Sequence, residues 1–144
     1  AGDIALPTHS QVALKLGQQL RETEPELMTI LELIESDQAL TAEVLRVANS
    51  PFYGGLTSIS TVRGAVVRIG SAEVLRIAIA ATEKSNYHVN DPHLSVLMAP
   101  LWDHAMGTAL GARWLARRLG YREVENEVFI AALLHDVGKL LLVR

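Results

Sequence analysis

The sequence predicts an all-α protein, a compact bundle of about seven helices, on three observations. Apolar residues recur at spacings of three and four along most of the chain, and alternation of period two appears nowhere convincingly. The apolar content is aliphatic: 49% of the 144 residues are apolar but only 5% are aromatic, which suits helix packing better than a loop-rich β architecture. A chain of this length and hydropathy buries a substantial core, so one domain over residues 1–144 is expected and disorder is not.

Each element has its own signal. Val12, Leu16 and Leu20 recur every four residues behind Ser10, a hydroxyl cap, and define a first helix ending near Glu22. Thr23-Glu24-Pro25-Glu26 reads as a capping box with proline in the first turn, ahead of the stripe Leu27, Ile30, Leu31 and Ile34. Asp37 to Leu40 punctuate. Thr41 then caps a short third helix through Val44, Leu45, Val47 and Ala48, which stops at Asn49-Ser50-Pro51 because proline disfavours helix in the residue before it. Beyond the loop Phe52-Tyr53-Gly54-Gly55, hydroxyls from Ser58 to Thr61 precede Val62, Ala65, Val66 and Ile69, and Gly70 is a natural stop. Ser71 caps the next helix, whose later part Ile77-Ala78-Ile79-Ala80-Ala81 is apolar on every side and is therefore expected at the centre of the core. After the polar stretch Asn86 to Pro92, a long helix runs through Met98, Leu101, Trp102, Ala105 and Ala109 to Leu119-Gly120. A terminal helix places Val124, Val128, Ala131, Ala132 and His135 on one face.

Composition narrows the function classes. The absence of cysteine rules out disulfides and thiolate metal sites, leaves His, Asp and Glu as ligands, and agrees with a reducing cytoplasm. A formal charge of -3 argues against nucleic-acid binding by the whole surface. The basic cluster Arg113, Arg117, Arg118 and Arg122 reads as a solvated helix end, where cations are favoured by the helix dipole. The helices around Ile69-Gly70-Ser71 resemble a helix-turn-helix superficially, but the second has only Glu73 and Arg76 as long polar residues to reach base edges. With no apolar run of about 18 residues and no signal-peptide pattern, the expectation is a cytoplasmic protein without a membrane partner. The start at Ala1 without methionine and the stop inside Leu140-Leu141-Leu142-Val143 read as a fragment truncated at its C-terminal end. Apolar surface on that last helix would drive homo-oligomer formation or dock absent helices.

The chemistry gathers at His135-Asp136-Val137-Gly138-Lys139. An adjacent imidazole and carboxylate can chelate one divalent ion, and a lysine four residues after the histidine returns to nearly the same helical face. A third ligand must come from upstream. His104 lies on the preceding long helix, at a separation that lets a turn at Gly120-Tyr121 bring the two histidines together across an antiparallel pair. His104, His135 and Asp136 would then form a partial N,N,O shell for Mn, Fe or Zn, with Lys139 neutralising a bound phosphate. The competing reading is a buried, hydrogen-bonded core histidine satisfied by an Asp or a backbone carbonyl. Trp102 and Trp114 read as core or rim residues, and His9, His88 and His93 as solvated loop residues.

Several blocks together resemble the HDOD family. They are Leu6-Pro7, Asp37-Gln38-Ala39-Leu40-Thr41 leading to Leu45 and Ala48-Asn49-Ser50, then Ala65 with Ile69-Gly70, and finally Leu133-Leu134-His135-Asp136-Val137-Gly138. The ordered set spans nearly the whole chain, and its Asn49-Ser50 and Ile69-Gly70 blocks are more specific than the HD pair alone. The resemblance implies an HD-like helical fold and a bacterial signalling module from a regulatory branch of the HD phosphohydrolase superfamily. Most members are regarded as non-catalytic output or scaffolding domains that act on other signalling proteins or domains. It also implies structural roles for the motif residues Asn49, Ser50 and Gly70.

Active members of the superfamily resemble the pattern H, HD, D. Carried over, His104 would be the first H and His135-Asp136 the HD, while the closing Asp has no counterpart here. Gln38 and Ser10 stand where the family usually has proline, and Lys139 beside an intact HD pair resembles the active branch. The expectation is a non-enzymatic regulatory domain needing no cofactor. The alternative is a metal-dependent phosphohydrolase acting on a nucleotide or cyclic-dinucleotide phosphoester. The loop Asn49-Ser50-Pro51-Phe52-Tyr53 is read as structural, with Asn49 and Ser50 capping and Pro51-Phe52 plugging the core, rather than as a recognition surface.

Overall fold

The computed structural model describes residues 11–143, so the expected cap at Ser10, the Leu6-Pro7 block and His9 lie outside the described residues. Eight α-helices and no strand occur among the described residues, the all-α class that the periodicity predicts. Contacts divide these residues into two compact units, 11–82 and 83–143.

The first unit holds α1 (Gln11–Arg21), α2 (Leu27–Glu35), α3 (Gln38–Ala48), α4 (Val62–Ile69) and most of α5 (Ser71–Lys84). Successive helices from α1 to α4 pack on one another, and α2 also meets α4. Leu16, Leu20, Ile30, Ile34, Val44, Ala48, Val62 and Ala65 lie in its core, the i, i+3 and i, i+4 stripes of the helices turned inward. Gly70, at φ +87°, ends α4 by donating its N–H to the Val66 carbonyl, and its own carbonyl receives the Val74 N–H of α5. Glycine adopts this left-handed conformation without steric cost. From Val74 to Ala80 α5 is buried without interruption, Arg76 included; of the run Ile77-Ala78-Ile79-Ala80-Ala81 expected in the core, all but the half-buried Ala81 are buried.

Ser71 is the first residue of α5 rather than its cap, and two other caps differ from expectation. No capping box forms at Thr23-Glu24-Pro25-Glu26: α2 begins at Leu27, and Glu26 as N-cap makes no side-chain cap. The Gln19 side chain of α1 instead accepts the Glu26 N–H at 3.0 Å, supplying from the neighbouring helix the acceptor that the reciprocal box would have provided. Helix α3 starts earlier than expected because Asp37 is its cap, accepting from the N–H groups of Ala39 (2.8 Å) and Leu40 (3.1 Å). Thr41 therefore lies inside α3, where its hydroxyl donates to the Ile34 carbonyl.

In the second unit, α6 (Pro92–Arg118) is capped by Asp91, whose carboxylate accepts from the N–H groups of His93 and Leu94. Pro100 sits inside it, a feature that the apolar periodicity did not reveal. Helix α6 closes in a Schellman motif: Gly120 at φ +87° donates to Arg117, and Tyr121 to Ala116. Helix α7 (Glu125–Leu134) packs back along α6. The ion pair Arg117–Glu125 (3.0 Å) near the turn and the His104–His135 contact farther on make the two helices antiparallel.

The terminal helix departs from expectation twice. Its buried face carries Phe129 and Leu133, while Val124 and Ala131 are exposed. It also ends at Leu134; His135 to Gly138 form a turn, and a separate short α8 (Lys139–Val143) follows. Among the described residues, no helix is long and apolar enough to cross a membrane.

Candidate metal centre

The turn after α7 explains how the site is built. Val137, Lys139 and Leu140 each donate their backbone N–H to the carbonyl three residues back, Leu134, Asp136 and Val137. This is the tighter 3₁₀ winding, in which residues i and i+3 eclipse. Lys139 therefore stands over Asp136 rather than on the face of His135, where a continuous α-helix would have put it. Its ammonium lies 2.5 Å from Asp136 Oδ2. The His135 side chain turns back on its own helix, with Nδ1 donating to the Ala132 carbonyl at 2.7 Å.

The antiparallel α6–α7 pair brings His104 to the same point. His104 Nε2 is 3.3 Å from His135 Nε2 and 3.4 Å from Asp136 Oδ2, and His135 Nε2 is 3.2 Å from that oxygen. Three donor atoms thus form a nearly equilateral triangle. Metal–ligand bonds of about 2.0–2.2 Å at right or tetrahedral angles require edges of roughly 2.8–3.6 Å, so the donor spacing fits a first-row divalent ion. With Nδ1 donating to the Ala132 carbonyl, Nε2 is the ring nitrogen that His135 turns into the triangle. One proton on His104 Nε2 satisfies a single neighbour, whereas a cation on the shared side satisfies all three. Both histidines are exposed, which removes the reading of His135 as a buried core residue. The Lys139 ammonium, paired with Asp136, holds that carboxyl below the usual carboxylate range, and His135 and His104 act the same way against some burial.

Beside the cluster, one face of α6 lines a cleft of about 400 Å³ with Met98, Trp102 and Asp103, facing Lys84, Tyr87 and His88. Tyr87 and Trp102 meet edge to face at 5.3 Å. Burial pushes the Tyr87 hydroxyl above its ordinary range, and the charges of Glu83 and Asp136 add to this. The sequence placed Tyr87 in a polar turn, and only its contact with Trp102 marks it as part of this surface. Trp114 is exposed and carries Arg118 over its ring at 5.6 Å.

The other motif residues lie in the first unit. Asn49 clamps the loop that follows it: its amide donates to the carbonyls of Leu45 (2.9 Å) and Ile59 (2.8 Å), and its oxygen accepts the Ile59 N–H at 2.7 Å. The Ser50 carbonyl accepts the Tyr53 N–H. Pro51-Phe52 does not plug the core, since Phe52 is 86% exposed; the Asn49 clamp closes the loop without it. Asn49→Asp keeps the acceptor but sets a carboxylate oxygen against two carbonyls, and is expected to cost about 2 kcal/mol in urea unfolding.

Comparison with known proteins gives the site its setting. A protein of Treponema pallidum (strain Nichols) with no assigned function is 23% identical over 135 residues, covering 94% of this chain and 26% of its own. The crystal structure of an HDOD domain protein of unknown function from Geobacter sulfurreducens superposes with a TM-score of 0.79 at 29% identity, covering 96% of this chain and 45% of that one. A candidate metal-dependent phosphohydrolase from Shewanella amazonensis SB2B superposes with a TM-score of 0.68 at 22% identity, covering 96% and 51%. The chain thus spans about a quarter of the Treponema relative and about half of each crystallised one. The HDOD domain matches residues 6–144, from the segment before α1 through the His135-Asp136 pair, and the chain belongs to the HDOD domain family.

Proposed function

We propose that this chain is a non-catalytic regulatory output domain, acting through contacts with other signalling proteins, whose His104, His135 and Asp136 take a divalent metal as a structural or sensory ligand. The observation that carries this reading is the donor set. The cluster comprises two imidazoles and one carboxylate, and that carboxylate is already engaged by Lys139. Among the described residues the group holds no second carboxylate to orient a water or accept its proton, a role that metal-dependent phosphoester hydrolysis commonly gives to one. Mn, Fe or Zn would suit the nitrogen-rich ligands.

A metal-dependent phosphohydrolase is the second reading, favoured by the cleft beside the cluster and by the printed name of the Shewanella neighbour. The test uses full-length protein loaded with Mn, Fe or Zn, beside the His135→Ala, Asp136→Ala double variant. Elemental analysis is expected to find metal in the native protein and none in the double variant, while neither turns over bis(p-nitrophenyl) phosphate or cyclic dinucleotides. Turnover by the native protein alone would hand the site to the phosphohydrolase reading.

A further inference from the structure

We propose that Lys139 is a built-in counter-cation that shares Asp136 Oδ2 with the metal in alternation, so that loading is an exchange in which the lysine leaves and becomes an anion-binding group. The inference rests on the reading that the cluster takes a metal. Three contacts converge on one carboxylate oxygen: His104 Nε2 at 3.4 Å, His135 Nε2 at 3.2 Å and Lys139 Nζ at 2.5 Å. An ion bound to that oxygen and both imidazoles would sit within a few ångströms of the ammonium. Two cations on one oxygen repel, and the doubly charged ion with three ligands displaces the singly charged group with one.

The lysine is free to go. Its side chain is 51% exposed. The backbone bond from Lys139 N–H to the Asp136 carbonyl, which shapes the turn, does not involve the ammonium. Eclipsed on the 3₁₀ turn, a released Lys139 remains over Asp136 and beside the ion. Metal and ammonium then face the same solvent-open space, and the anion that fits there is a phosphate group. Without metal, the Asp136 charge neutralises the lysine, and the anion finds only the two histidines. Metal and phosphate are thereby linked: each raises the affinity for the other by the same factor.

The test measures Mn²⁺ affinity by electron paramagnetic resonance of the free ion, and inorganic phosphate binding by ³¹P relaxation, on full-length native protein, Lys139→Gln and Lys139→Arg. Circular dichroism melts check that each variant folds. Lys139→Gln is expected to bind Mn²⁺ about tenfold more tightly than native, about 1.4 kcal/mol, while Lys139→Arg does not. Phosphate should bind the native protein only when Mn²⁺ is present and should bind Lys139→Gln weakly with or without it. Equal Mn²⁺ affinity in native and Lys139→Gln overturns the exchange while leaving the metal site standing. Absence of Mn²⁺ binding in all three overturns the metal site itself, and the exchange with it.

Discussion

Phe129→Ala is expected to cost about 3–5 kcal/mol, a large share of the roughly 5–15 kcal/mol that holds a domain folded. Phe129 is 1% exposed and, with Leu133, forms the buried face of α7. Deleting its ring removes the transfer free energy of a large side chain and leaves a cavity that the aliphatic surroundings fill only in part. The midpoint of thermal unfolding should fall on the order of 10 °C. Val128→Ala, at a partly exposed neighbouring position, should change it far less. Calorimetry on both variants checks this, and a loss below about 1 kcal/mol for Phe129→Ala would mean that α7 is not seated on this residue. Because α7 ends at Leu134, immediately before His135, metal uptake should weaken in parallel with stability in Phe129→Ala.

Glu73→Ala is the second large loss expected, about 3 kcal/mol in urea unfolding. Glu73 Oε2 pairs with Arg76 Nη2 at 2.6 Å, and Glu73 Oε1 accepts the Tyr53 hydroxyl at 2.7 Å. The Arg76 side chain is 7% exposed and that of Glu73 19%. Removing the carboxylate strips a buried guanidinium of this counter-ion and leaves Tyr53 without this acceptor. The Glu73→Met, Arg76→Met double variant removes both charges and should lose less than Glu73→Ala alone. A double variant that is the less stable of the two would show that the pair contributes more than the avoidance of a buried charge. Added salt should change the Glu73→Ala difference little, since screening acts weakly on a buried pair.

What the sequence revealed follows from where its pattern is unambiguous. Leu16 and Leu20 in α1 are separated by Gly17, Gln18 and Gln19, and the polar Thr29 and Glu32 interrupt the apolar run that holds Ile30 and Ile34 in α2, so the buried stripe stands out. In α7 the run Val128 to Leu134 is apolar throughout, and periodicity cannot say which residues face α6; Phe129 and Leu133 were missed for that reason. Of the caps, Thr61 serves α4 as its hydroxyl suggested, whereas the acceptor for the Glu26 N–H comes from Gln19 of the neighbouring helix, and Asp37 caps α3 with its own carboxylate four residues before Thr41. The pairing of His104 with His135 was legible because a helical hairpin fixes it, given the turn at Gly120. The position of Lys139 was not, because nothing in His135-Asp136-Val137-Gly138 except its glycine signals the change of winding.

The antiparallel pairing of α6 and α7 gives the cluster a further property. His135, Asp136 and Lys139 are placed by one short local turn, whereas His104 is placed by the alignment of two helices. A slip of α7 along α6 by one helical turn, about 5.4 Å, would leave the first three together and carry His104 out of reach. The cluster is therefore a vernier on the hairpin: a ligand that needs all three donor atoms holds the two helices in a single register, and anything that shifts that register dismantles the site before it unfolds either helix.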